Sequence, residues 1–303
     1  MKTSAKPVPR VQDMTEGNPV RLILAFAVPL FIGNIFQQIY TMADTMVVGR
    51  SLGDSAIAAI GATSSLYFLL LSFANGMNSG YGIVVTRHFG AHDPEGVRRS
   101  IAGMLALNMA AASLLSVFSL LFLRPLLGYM NTPESIFPLA YTYIAILCGG
   151  LLSTVCYNMF SAILQALGNS RSPLCFLIIS SLLNIVLDLL FVIVFRLGVG
   201  GAAVATVIAQ SVSALLCGLY LLRSYRDILP RREDFPQMRP LLPDLLSTGF
   251  AMALMLCVVD LGSTIFQRAN NLLGESYITA YTASRRIISI MMQPLGTIAT
   301  ANS

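Results

Sequence analysis

The chain contains no tryptophan and only two histidines, and charged residues fill just 11% of its 303 positions. Soluble domains carry about 25% charged residues. A chain this poor in charge, with hydrophobic residues at 55% and a mean hydropathy of +0.73, has more apolar surface than a water-bounded core can hide. The same figures exclude disordered, collagenous and coiled-coil classes. The five cysteines, Cys148, Cys156, Cys175, Cys217 and Cys257, sit inside apolar runs and never in C-x-x-C spacing. That excludes a disulfide scaffold and leaves them as small buried hydrophobes. No phosphate loop, nucleophile elbow, zinc spacing or haem motif is present. His88 and His92 stand four residues apart but have no third ligand beside them. They read as solvated loop histidines, and neither a metal nor a cofactor is expected.

What the chain has instead is long uncharged sequence. Charge-poor windows predict eight helices, at 22–48, 55–82, 100–123, 138–164, 172–195, 201–222, 245–271 and 277–300. Each is long enough at 1.5 Å per residue to cross a hydrocarbon core of about 30 Å. The runs lack the alternation of barrel strands. The expected fold is therefore all-α, a polytopic transmembrane helical bundle in contact with membrane lipid. The first run is not a cleaved signal peptide: a polar tail precedes it, it carries Asn34, Gln37, Gln38 and Asp44, and no A-x-A-like site closes it.

Basic residues set the expected orientation. With a cytoplasmic N-terminus, Lys2, Lys6, Arg10, Arg21, Arg87, Arg98, Arg99, Arg171, Arg223, Arg226, Arg231, Arg232 and Arg239 lie inside. Only Arg50, Arg124 and Arg196 lie outside. The net charge of +5 is thereby explained by membrane orientation, without nucleic acid as a partner.

An internal repeat is legible. The stretch from Gly53 to Thr63 shares five identities with that from Gly274 to Ser284, at an offset of 221 residues, and each copy joins two spans. An offset covering six spans keeps orientation, as in transporters built from parallel six-helix halves. Chance similarity between two loops is the alternative. The repeat divides the chain into a six-helix lobe at 1–222, a Pro- and Arg-rich cytoplasmic linker at 223–243, and helices seven and eight of a second lobe at 244–303. On that reading the second lobe is truncated, and a chain ending there is expected not to export anything.

Three acids, Asp44, Asp188 and Asp260, interrupt apolar runs. A charge at mid-bilayer costs roughly 2.5–3.5 kcal/mol on insertion scales, so each needs a partner, a watery cavity or a function. Ser180, Asn184 and Asp188 share one helix face, as do Thr206, Gln210 and Ser213 on the next span. Asp44 lies about 9 Å, and Asp188 about 12 Å, from the outer-edge arginines Arg50 and Arg196 at helical rise. Thr206 reaches comparable depth. Carboxylate, amide and hydroxyl oxygens in one layer suit a hard cation, or a proton carried by paired acids. Structural hydrogen bonds between helices are the alternative. Asp260 is a possible second-lobe acid or a lone structural one, with Arg285 and Arg286 as candidate partners. Gly201, Ala205 and Ala209 form a small-residue packing face, and Pro29 and Pro294 mark kinks.

Pro29, the run Met42 to Gly49, and Leu52-Gly53 resemble the first helix and loop of the multidrug and toxic compound extrusion (MATE) family. Leu164 to Asn169, Pro173, Asn184, Asp188 and the run Gly198 to Thr206 resemble its helices four to six. Ala280-Tyr281, Arg286 and Pro294 to Gly296 resemble its eighth helix, and the likeness is nearest the prokaryotic DinF-like and drug-efflux branches. The resemblance implies twelve helices in two lobes around a central cavity, monomeric at full length, in the bacterial inner membrane. It implies export of small amphipathic, often cationic, organic compounds by Na⁺ or H⁺ antiport, with no cofactor. It assigns Asp44, Asn184, Asp188 and Thr206 to a cation site, and Gln37, Tyr40 and Asn158 to the substrate cavity. Gln165 departs from the family's frequent Arg, and Asp260 from its commoner small polar residue. Competing readings are a lipid-linked sugar flippase of the same superfamily and a non-transporting fragment. A membrane-embedded enzyme is a third, but no catalytic motif accompanies the acids.

Overall fold

The computed structural model describes residues 19–130, 132–271 and 292, and these are helical with short connections and no strand. Helix α1 (Pro19–Leu52) and α2 (Asp54–Gly90) are separated only by Gly53, whose φ of 81° breaks the helix where a side chain would be strained. Helix α3 (Pro94–Tyr129) starts at Asp93. That N-cap accepts a 2.9 Å hydrogen bond from the Gly96 amide, and Pro94 occupies the first helical position. Next come α4 (Phe137–Gly149), α5 (Leu151–Ala166) and α6 (Arg171–Asp188). Helix α6 runs directly into a π-helical turn, Leu189–Val194. Helix α7 (Gly198–Ser224), a short α8 (Asp234–Gln237), a 3₁₀ turn (Arg239–Leu241) and α9 (Leu242–Asn271) complete the described chain.

Six helices are long and apolar enough to cross a membrane, and the α4–α5 pair makes a seventh if its 45° bend lies within one span. Seven of the eight predicted helices thus find counterparts, and the eighth, at 277–300, falls outside the described residues. So do Gly274, Arg285, Arg286 and Pro294, and with them the second copy of the repeat. Two boundaries differ from expectation for one reason. Helices α2 and α3 run past Arg87, and past Arg124 and Pro125, because a helix leaving lipid keeps its internal hydrogen bonds in water. The fourth span is broken because α5 begins against α7. A Cβ on Gly150 would sit 2.3 Å from a Val207 methyl.

Without a hydrophobic drive between helices in lipid, close packing and interhelical hydrogen bonds hold such a bundle. The tightest seam joins α2 to α9. A Cβ on Gly76 would lie 2.3 Å from the Ala253 Cα, and one on Gly80 2.5 Å from the Gly249 Cα. Around that seam Tyr81, Met104, Ile163, Leu164 and Leu245 form the largest buried cluster. A second cluster, with Val48, Ala56, Tyr143, Val192 and Val199, ties the other ends of α1, α2, α4 and α7 to the π-turn. Leu114, Leu121, Leu182, Val186, Val258 and Val259 point outward, the arrangement of a bundle whose solvent is hydrocarbon. Gly201, Ala205 and Ala209 are buried on α7.

Candidate functional site

Helices α1, α6 and α7 converge at the level of Asp188, the last residue of α6 before the π-turn. Asp188 is fully buried and Asn184, one turn earlier, is 1% exposed. Neither Asp188 carboxylate oxygen accepts from a donor outside the Asp44–Asp188 carboxyl pair, and both amide atoms of Asn184 are unpartnered. The same holds for one carboxylate oxygen of Asp44 on α1 and for the amide oxygen of Gln210 on α7. Buried polar atoms are almost always paired, because leaving one unpaired costs about 1–3 kcal/mol. Here they gather on three adjoining helices.

The Asp44 and Asp188 carboxyl groups lie within interaction range of each other. Two facing carboxylates in a low dielectric repel unless a cation or a proton lies between them. Thr206 on α7 donates its hydroxyl back to the Ala202 carbonyl at 3.1 Å. The donor is thereby used up, and the hydroxyl lone pairs remain for a cation. Tyr40, Asn184, Thr206 and Gln210 line one crevice, with Leu177 and Ser180. Its free space is about that of one water-sized sphere, which suits a bare cation or a water and no organic molecule. The donor set is oxygen-rich, as a hard cation requires. Among the described residues no group of three His, Cys, Asp or Glu side chains could hold a metal ion.

The predicted residues separate into groups. Asp44 lies beside Asp188, and Asn184, one turn before Asp188, shares the crevice wall with Thr206 and Tyr40. Gln37 is exposed one turn earlier on α1. Asn158 on α5 donates instead to Asn75 on α2 at 2.8 Å. Asp260 sits on the α2–α9 seam, where Ser72 donates to its carboxylate. Ser213, which continues the Thr206 and Gln210 face, donates to the Phe176 carbonyl on α6 at 3.3 Å and so serves packing. Ser180 donates to the Leu177 carbonyl of its own helix at 3.1 Å. Two participants escaped the sequence reading. Tyr143 on α4, buried in the neighbouring cluster, lies within electrostatic reach of Asp44, Tyr40 and Asp188. The π-turn is the other. Such turns inside helices concentrate at functional sites, but six apolar residues carry no mark of one.

The bundle and its buried acids define a multi-pass membrane protein with a polar core. Residues 29–190 match the MatE family model, and the chain belongs to that family. It is 29% identical over 295 residues to the probable multidrug resistance protein YpnP of Bacillus subtilis, covering 96% of this chain and 65% of that protein. It is 25% identical over 276 residues to an FAD transporter of Shewanella oneidensis, covering 90% and 61%. Its fold matches a solved MOP superfamily transporter from Pyrococcus furiosus with a TM-score of 0.88 at 26% identity, covering 98% of this chain and 66% of that one. The chain thus spans about two thirds of the length of these relatives.

Proposed function

We propose that the protein takes part in cation-coupled export of amphipathic organic cations. Asp44, Asn184, Asp188 and Thr206 hold the coupling ion, Na⁺ or H⁺. One observation supports this reading above the others: buried oxygens without a donor occur on Asn184 and Asp188, one turn apart on α6, and on Asp44, whose carboxyl faces that of Asp188. Inward movement of one charge through 100 mV supplies about 2.3 kcal/mol. That supports a cargo gradient of somewhat over tenfold at 1.4 kcal/mol per decade. Tyr40, Gln37 and Asn158 face the cargo in this proposal, and the N-terminus and the 223–243 linker are cytoplasmic. The names of the relatives cover drugs and FAD.

The test is thermal unfolding of the purified protein with Na⁺ against choline at fixed ionic strength, repeated across pH. The wild type should gain stability with Na⁺ or on protonation, and Asp188→Asn should lose that response. In a twelve-helix version that exports dye from an efflux-deficient strain, efflux should fall to background in Asp188→Asn at matched membrane levels. Unchanged cation response and efflux in both Asp44→Asn and Asp188→Asn would make the acids structural and end the proposal.

A further inference from the structure

The segment joining α7 to α9 carries Arg223, Arg226, Arg231, Arg232 and Arg239, and all five are exposed. None has an ion-pair partner among the described residues, whose pairs use Arg87, Arg98 and Arg99. Of the acids in the segment, Asp227 and Glu233 are exposed but Asp234 is buried. Asp234 turns inward to Arg98 on α3 at 3.5 Å and accepts the Arg231 backbone N–H at 2.7 Å. An acid that could neutralise Arg231 or Arg232 is spent elsewhere, so the outer surface is strongly basic.

The segment is a braced strap and not a free tether. Tyr225 is buried, packs edge-on against Tyr220 and accepts a 3.2 Å hydrogen bond from the Asn169 amide. Ile228, Leu229 and Leu241 pack on the main buried cluster. Both ends of the strap are ends of helices apolar enough to span a membrane, which puts it at headgroup depth. Phe235, 40% exposed on α8, adds an aromatic ring of the kind that settles at that interface.

We propose that the 223–239 strap is a docking surface for the anionic headgroups of phospholipids in the leaflet it faces. The planar guanidinium fork meets a phosphate with two parallel hydrogen bonds. A basic cluster beside a membrane helix also draws anionic lipid electrostatically. Fixing the strap beforehand removes most of the ordering cost of collecting several headgroups. The Arg98–Asp234 pair orients the strap and removes one acid from its basic outer surface.

The test uses the purified chain in neutral detergent, with phosphatidylglycerol or phosphatidylcholine added. Phosphatidylglycerol should raise the melting midpoint and phosphatidylcholine should not. In Arg226→Gln/Arg231→Gln/Arg232→Gln the phosphatidylglycerol concentration for half effect should rise at least tenfold, a lower bound for the loss of three charges. The midpoint in phosphatidylcholine should stay unchanged. Equal response of wild type and variant to phosphatidylglycerol overturns the proposal. So does an equal shift from inorganic phosphate, which would mean a soluble-anion site, or displacement of the lipid by a short oligonucleotide at matched charge. Should the variant fail to fold, native mass spectrometry of the wild type decides. Preferential retention of phosphatidylglycerol supports the docking surface, and equal retention of both lipids refutes it.

Discussion

Arg98 on α3 and Asp234 on α8 form an ion pair at 3.5 Å with side chains only 17% and 8% exposed. Removing one partner strands the other's charge away from water. Asp234→Ala should lower stability by about 2–4 kcal/mol, read as a drop in melting midpoint. Arg98→Ala/Asp234→Ala should recover part of that loss, because no unpaired charge then remains.

The glycines of α2 differ in what surrounds them. A Cβ on Gly80 would meet the Gly249 backbone at 2.5 Å, whereas one on Gly82 meets nothing within 4 Å. Gly80→Ala should force α2 from α9 and cost about 1–3 kcal/mol. Gly82→Ala should be neutral or stabilise by about 0.5–1 kcal/mol through helix propensity. Melting midpoints of the two variants, measured side by side, should move in opposite directions or leave Gly82→Ala unmoved.

Asp93 caps α3 and carries a pH signature. Its hydrogen bond from the Gly96 amide, with lesser help from His88, holds its carboxyl below the ordinary value of 3.8. Because the folded pKa is depressed, the cap's stabilisation is complete above that value and is lost as pH falls through the folded pKa. Melting should therefore decline more steeply below about pH 4 in the wild type than in Asp93→Asn, which keeps the cap uncharged. Parallel curves would remove Asp93 from the acid response.

The absence of tryptophan permits a reporter without background. Tyr40→Trp puts an indole on the crevice wall beside Asn184 and Thr206. Its emission should shift on cation addition or acidification. The shift should vanish when Asp188→Asn is added, and Thr206→Val should weaken the apparent cation affinity about tenfold, the loss of one oxygen ligand to a charge.

The span count and the acid-bearing helices were legible because an isolated Asp in an apolar run is conspicuous on any hydropathy scale. The crevice that Asn184 and Thr206 share agrees with helical spacing and their comparable distance from the outer arginines. The bend between α4 and α5 was not legible, since Gly149-Gly150 reads as continuous helix until Val207 of another helix crowds it. Tyr143 was hidden for a similar reason: an aromatic in an apolar run looks like packing whichever way it faces. Asp234 looked like one charge among many in the linker, and only the fold shows it turned inward to Arg98.

The π-turn after Asp188 closes the span, and the helix ends at Phe195. Val192, inside the turn and four residues after Asp188, packs in the cluster around Val48, Tyr143 and Val199. The acid is thus followed directly by the hydrophobic anchor that ties its helix to α1, α4 and α7. Deleting one residue from Leu189–Val194 would move that anchor off the cluster and loosen the helix end that carries Asp188.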